Sequence, residues 1–155
     1  MIKVSRFFTK GFKSPFDVVT WVESRVVIKK TDGAVIYDNV VEHPTSWGKN
    51  AVDACASKYL RKADIPGTGR ETSVKQLASR VANCIAKHGV KNGYFDEANG
   101  KIFAEELIAG FLLQRIGFNS PVWFNYGLFS EYGILGSESR ERFYVDSDGE
   151  VISLS

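Results

Sequence analysis

Histidine and cysteine are both scarce in this chain: its 155 residues contain two of each. The separation of Cys55 and Cys84 fits neither a CxxC redox pair nor a zinc site. Each falls in a helical pattern among alanine and aliphatic neighbours. That predicts two reduced, largely buried thiols and, with them, a reducing, cytoplasmic setting. His43 and His88 lie far apart, and neither has a carboxylate at ligand spacing, so no metal site is expected. Excess charge is lacking too. Twenty Lys and Arg against 18 Asp and Glu leave a net charge of +2, which gives no electrostatic footprint for DNA or RNA. No run of about 18 apolar residues occurs, so no membrane-spanning helix is expected. Residues 1–13 are mildly basic and hold three phenylalanines, but they lack the apolar core of a signal peptide. There is no internal repeat.

What is present suits a soluble globular protein, 44% hydrophobic and 25% charged, long enough for one domain with a real core. Residues 1–20, basic and aromatic around Ser14-Pro15, predict an arm that packs on another element. β-branched residues dominate from Val18 to Lys30. Thr31-Asp32-Gly33 is a turn signal, and strand character resumes over Ala34–Tyr37, which together predict a β-hairpin. Residues 38–45 read as a connection ending near Pro44. Ser46 is the expected N-cap of a helix with Trp47, Ala51, Ala54, Cys55 and Tyr59 on its apolar side, ending near Ala63. The loop Gly67–Thr72 has glycines but lacks the Gly-Lys-Ser/Thr of a Walker loop. Its Arg70 has the chemistry to meet a phosphate or a neighbouring chain, but reads as a solvated loop arginine. Thr72 or Ser73 caps a second helix with an apolar stripe of Val74, Leu77, Ala78, Val81, Cys84 and Ile85. Gly89 and Gly93 end it, with His88 in the last turn, where the helix dipole favours it. Asp96 caps the longest helix, 97–116, whose predicted inner face is Phe103, Leu107, Ile108, Phe111, Leu112 and the stem of Arg115. Glu105 and Glu106 point roughly 100° apart on a helix and are expected on solvated surface. Gly127–Ser139 is a Gly- and Ser-rich excursion. Residues 143–145 and 151–152 form a second hairpin around Asp146-Ser147-Asp148-Gly149, which has turn chemistry and lacks the ligand run of a calcium loop. The expected fold class is α+β, mainly helical with two β-hairpins: an arm and hairpin (1–45), a helical part (46–118) and a closing segment (119–155).

The densest chemistry lies in Asn119-Ser120-Pro121-Val122-Trp123-Phe124-Asn125. Pro121 fixes its own φ and pushes Ser120 towards an extended conformation. Trp123 and Phe124 are predicted to seat the segment on the core, because otherwise they leave an exposed apolar patch. Asn119 and Asn125 are expected to hold the turn through hydrogen bonds to the backbone. Such a rigid polar turn presents the Ser120 hydroxyl and nearby N–H groups to an anion. The plainer reading is a helix end, a proline turn and a buried strand without chemistry.

Several stretches, taken together, resemble one family. They are Lys58-Tyr59-Leu60-Arg61-Lys62-Ala63, Gly69-Arg70-Glu71-Thr72-Ser73, Gly93-Tyr94-Phe95, the heptad continued through Tyr126-Gly127-Leu128, and Tyr132-Gly133-Ile134. Their order and spacing resemble the N-terminal region of adenosylcobalamin-dependent, class II ribonucleotide reductases. The opening, Ser5-Arg6-Phe7-Phe8-Thr9-Lys10 with Ser14-Pro15-Phe16-Asp17, is similar as well. The resemblance covers essentially the whole chain. It implies reduction of a ribonucleotide, a ribonucleoside diphosphate, to the 2′-deoxyribonucleotide for DNA synthesis. In the family, adenosylcobalamin generates a thiyl radical on a barrel cysteine, that radical abstracts the 3′ hydrogen, and a cysteine pair reduces the 2′ position. It further implies that Ser120 contributes to the substrate site near the diphosphate, with Asn119, Pro121, Trp123 and Asn125 supporting it.

The resemblance also implies what this chain is not expected to contain. Family members continue for many hundreds of residues into a ten-stranded α/β barrel that carries the catalytic cysteines and their Asn and Glu helpers. No cysteine follows Cys84 here, and neither Cys55 nor Cys84 matches a catalytic position. No catalytic residue or metal ligand is therefore assigned. The expected partners are the remaining reductase polypeptide, a ribonucleotide and, through that polypeptide, a thiol reductant and most of the cobalamin contact. A different class of function is a stand-alone, non-catalytic module that binds a nucleotide or a protein. A downstream reading frame encoding the barrel separates the two. A nucleic-acid-binding domain is disfavoured by the near-neutral charge and by aromatics placed in core stripes.

Overall fold

The computed structural model describes residues 1–135, 142–145, 148 and 150–154. Two antiparallel strands, β1 (Trp21–Lys29) and β2 (Val35–Pro44), form the first hairpin. Its turn uses Asp32 Oδ1 as acceptor for the Ala34 N–H at 2.9 Å. Val26, Tyr37 and Val41 face the core, whereas Val22, Val35, Ile36 and Val40 face solvent. β2 runs through Pro44, so 38–44 is strand rather than the expected connection. Proline is tolerated there because β2 is an edge strand of a two-stranded sheet.

A short helix α1 (Lys49–Ala54) continues into one π-helical turn, Cys55–Tyr59, closed by the Leu60 N–H bonding to Cys55 O at 3.0 Å. The N-cap is Gly48 rather than Ser46, and the chain leaves the helix at Leu60 rather than Ala63. Trp47 accounts for the late start. Its indole is buried against Phe111, 5.3 Å between ring centres and nearly perpendicular, and its Nε1–H donates to Leu112 O at 2.9 Å. That anchorage holds residues 44–47 in a turn.

Helices α2 (Val74–Lys91) and α3 (Glu97–Leu112) form the central helical hairpin. Ser73 and Gln76 make a reciprocal capping box at the start of α2, and Asp96 caps α3. Gly89 does not end α2 as expected. It lies buried inside the helix, where a Cβ would stand 2.6 Å from the Phe95 ring, and the helix stops at Gly93, φ +74°. α3 ends earlier than expected, because Gln114 takes a left-handed conformation, φ 55°. Ile116 then folds back onto Gly110, filling the space a Cβ would occupy, and Arg115 is exposed instead of lining the core. Leu77, Ala78, Val81 and Ala82 of α2 pack with Ala104, Ile108 and Leu112 of α3.

The arm packs on α3 as the sequence suggests, but by means the sequence reading missed. Glu106 accepts the N–H groups of Phe7, Phe8 and Thr9 at 3.0, 2.7 and 3.0 Å and the Thr9 hydroxyl, while Glu105 pairs with Arg6 at 2.5 Å. The adjacent carboxylates are thus anchors for the arm, not solvated surface. After α3, the heptad forms α4 (Ser120–Asn125), and α5 (Leu128–Tyr132) follows where an irregular excursion was expected. β3 (Arg142–Val145) and β4 (Val151–Leu154) form the second hairpin. The Asp146-Ser147-Asp148-Gly149 turn, like residues 136–139, lies outside the described residues, Asp148 excepted.

Candidate functional site

Pro121 lies in the first turn of a helix instead of fixing a turn, so Ser120 is helical rather than extended as expected. Asn119 is the extended residue, φ −69° and ψ 159°, and Ser120 is the first residue of α4, followed by proline in the first turn, where its missing N–H is not needed. Asn119 holds the turn with its main-chain carbonyl, which accepts from Val122 N at 3.1 Å, and its side chain makes no capping bond. Asn125 Nδ2 donates to Pro121 O at 2.8 Å. Trp123 is buried, packed at tilted and edge-on angles among Phe111, Phe118 and Tyr59, with its Nε1–H on Phe118 O at 2.8 Å. Phe124 departs from the expectation. It is 45% exposed, because the helical period turns it away from Trp123, and it leans instead on Tyr59 with ring centres 5.5 Å apart.

Ser120 and Phe124 are one turn apart and share a face of α4. Tyr59 stands across from that face, its hydroxyl 3.2 Å from Ser120 Oγ. A π turn carries one residue more than an α turn, which rotates the residues after it and helps bring Tyr59 to this position. Beside the pair lies a cleft of about 350 Å³ walled by Tyr59 and Phe124, floored by Leu60 and Arg80, and rimmed by Lys58, Arg61 and Lys62. Among the described residues, no carboxylate lines this cleft. Arg70 does not reach it, since its Nη1 donates to Asn39 Oδ1 at 2.6 Å beside the hairpin.

Beneath the cleft is a buried ion pair that the sequence reading did not find. The Arg80 side chain is 1% exposed and that of Glu71 0%. Arg80 Nε donates to Glu71 Oε1 at 2.7 Å, Nη1 to Tyr126 O at 2.7 Å, and Nη2 to Trp123 O at 2.8 Å and Tyr59 O at 3.2 Å. One guanidinium thereby satisfies carbonyls at the ends of two helical segments, α4 and the π turn, which otherwise lack partners. Glu71 also accepts from Arg61 N at 2.8 Å and from the Tyr132 hydroxyl at 2.9 Å. Burial, joined by the Glu71 charge and this hydrogen bond, raises the Tyr132 phenol well above its ordinary pKa, so it stays a donor. Among the described residues no buried side-chain nitrogen or oxygen lacks a partner. The stretches around Tyr59, Glu71, Trp123–Tyr126 and Tyr132 thus converge on Arg80. A signal was available: an arginine at position 80 sits within the apolar stripe of α2, and a buried charge requires a partner.

Cys55 is buried and Cys84 half-buried, both as free thiols. Burial, reinforced by the nearby Glu71 carboxylate, pushes the Cys55 thiol up to about 12. The His43 ring is buried, with Nδ1 2.9 Å from Pro44 O. Among the described residues, no three His, Cys, Asp or Glu side chains gather as a metal site, and no helix is long and apolar enough to cross a membrane.

Comparison with known proteins gives one consistent answer. A family described as class II vitamin B12-dependent ribonucleotide reductase matches residues 22–114. A vitamin B12-dependent ribonucleotide reductase of Streptomyces coelicolor is 40% identical over 129 residues, covering 81% of this chain and 13% of that protein. Its counterpart in Rhodopirellula baltica is 35% identical over 134 residues, with 85% and 13% covered. That of Bradyrhizobium diazoefficiens is 31% identical over 180 residues, with 94% and 14% covered. The chain therefore spans about one seventh of the length of these relatives.

Proposed function

The chain belongs to the class II vitamin B12-dependent ribonucleotide reductase family as an N-terminal domain, and on that premise we propose that it supplies one wall of the ribonucleotide site. In this reading it acts in the cytoplasm with the remaining reductase polypeptide and a thiol reductant. Together they convert ribonucleoside diphosphates to 2′-deoxyribonucleotides. The residue that touches substrate is Ser120, whose hydroxyl donates to a diphosphate oxygen. The observation that carries this reading is its setting. Ser120 Oγ lies 3.2 Å from the Tyr59 hydroxyl, and Tyr59, with Phe124 from the Ser120 face of α4, walls a cleft rimmed by Lys58, Arg61 and Lys62, with no carboxylate among its described lining residues. Among the described residues, Lys58 and Lys62 make no ion pair, while Arg61 pairs with Asp64 at 3.0 Å. The rim therefore keeps positive charge for an anionic group.

The other residues of the heptad shape this wall. Asn119 and Pro121 set the start of α4, Asn125 closes it, and Trp123 fixes it to the core. Neither cysteine lines the cleft walled by Tyr59 and Phe124: Cys55 is buried and Cys84 half-buried on α2. The clefts beside Tyr59 are too small for adenosylcobalamin. Cleft volumes of about 340–350 Å³ on either side of Tyr59 lie at the low end for drug-sized ligands, and a corrinoid is far larger. The cofactor and the reacting cysteines are thus assigned to the remaining polypeptide, and this chain alone should be inactive.

The test is reconstitution. The chain, co-expressed with the remaining polypeptide and supplied with adenosylcobalamin and a ribonucleoside diphosphate, should form deoxyribonucleotide. Ser120→Ala should raise KM several-fold with a smaller change in kcat, as expected for one lost charge-assisted hydrogen bond. An Ser120→Ala enzyme with unchanged KM and turnover would remove Ser120 from the substrate site.

A further inference from the structure

We propose that Tyr59 is a positioning residue for this reductase, acting on substrate only through Ser120; the inference rests on the substrate-site reading above. A serine hydroxyl has three staggered positions and one proton. When that proton goes to a phosphate oxygen, the Ser120 oxygen can only accept from Tyr59. The 3.2 Å contact then runs from the Tyr59 O–H to Ser120 Oγ. This bond selects one rotamer of Ser120 and polarises its O–H, which strengthens its donation to an anion.

The geometry supports a held contact rather than a chance one. Tyr59 is half-buried, and its ring packs near those of both Trp123 and Phe124, with centres 6.3 and 5.5 Å away. The carbonyl of Tyr59 is fixed by Arg80, and the same guanidinium grips the carbonyls of Trp123 and Tyr126. The helical turn bearing the phenol and the helix bearing the serine are thus tied to one buried charged group. Their hydroxyls meet in a register that side-chain thermal motion alone would not maintain. Tyr59 also walls the cationic cleft, together with Phe124, which lies one helical turn from Ser120 on α4.

The experiment is a double-mutant cycle in the reconstituted reductase, with Y59F, S120A and the double variant assayed for KM and kcat on a ribonucleoside diphosphate. Phenylalanine keeps the ring packing and removes only the hydroxyl. Y59F is expected to raise KM about three- to tenfold, the range of one net hydrogen bond, with kcat changed less than about twofold. The double variant should match S120A alone, since Tyr59 has no route to substrate without Ser120. Melting of the isolated 155-residue Y59F chain checks that folding is intact. If S120A has no effect, the substrate-site reading fails and this inference falls with it. If S120A impairs binding while Y59F is neutral, or the two effects add, Tyr59 does not act through Ser120 and only this inference is overturned. A Y59F chain that melts lower with KM unchanged would make Tyr59 a packing residue and overturn it as well.

Discussion

Replacing Arg80 by methionine should cost a large part of the stability of this domain. Methionine retains much of the aliphatic volume but removes every donor. Glu71, with a side chain 0% exposed, would be left as a buried carboxylate without its cation. The carbonyls of Tyr59, Trp123 and Tyr126 would lose their shared partner. Breaking a buried pair from one side costs about 3–5 kcal/mol, and an orphaned buried carbonyl about 1–3 kcal/mol. These do not add, because one local relaxation or one entering water relieves several at once. A loss of about 4 kcal/mol follows, against a total of about 5–15 kcal/mol for a domain. With a urea slope of about 2 kcal/mol per molar, the unfolding midpoint should fall by about 2 M. Equilibrium urea unfolding followed by circular dichroism reads this directly. Arg80→Lys should recover little, since one ammonium cannot reach the four acceptors that the planar fork spans. Substituting Glu71 by methionine in the Arg80→Met background should recover part of the loss by removing the stranded charge. A midpoint within about 0.5 M of the wild type for Arg80→Met would refute the argument, because the ion pair would then be replaceable by water at no cost.

Two further outcomes test other parts of the fold. Gly127 combines φ +79° with a backbone so close that a Cβ would lie 2.2 Å from Arg80 O. Gly127→Ala should therefore cost at least about 2 kcal/mol, from left-handed strain plus a displaced α2 backbone, and thermal melting would show it. Acid should release the N-terminal arm before the core unfolds. Burial raises the pKa of Glu106, but its bonds from Thr9, Phe8 and Phe7 outweigh that and hold it below an ordinary carboxylate. A depressed folded pKa means the anchorage is complete above the unfolded value of about 4.3 and is lost as pH falls through the lower folded value. The amides of Phe7, Phe8 and Thr9 should gain exchange and shift their NMR resonances in that acid window. Unchanged protection in a still-folded protein at about pH 2 would contradict the assignment.

Much of the architecture was readable because it follows from local rules. The cap at Thr72 or Ser73, which the structure assigns to Ser73, the Asp96 cap and the turn at Thr31-Asp32-Gly33 are encoded within four residues each. The stripes of α2 and α3 follow from helical period. The errors share a different cause. The end of α3 at Leu112 depends on Ile116 filling the notch at Gly110, and the late start of α1 depends on Trp47 reaching Leu112 O. Glu105 and Glu106 looked like surface because the arm that covers them is about a hundred residues away in sequence. Phe124 was misplaced because the heptad was expected to be a turn, in which both aromatics could face inward; on a helix they cannot.

The sequence by itself determined the α+β class, the Asp96 cap of α3, the turn of the first hairpin and a family resemblance that comparison with known reductases bears out. Those depend on nearest neighbours, on periodicity or on a linear pattern. Tertiary structure alone decided why the scattered motifs belong together. Glu71, Tyr59, Tyr132 and the carbonyls of the heptad meet at Arg80, and Ser120 meets Tyr59 across 61 positions of chain. A buried guanidinium requires acceptors from whichever segments surround it, and that choice is made by packing in three dimensions, not by spacing along the chain.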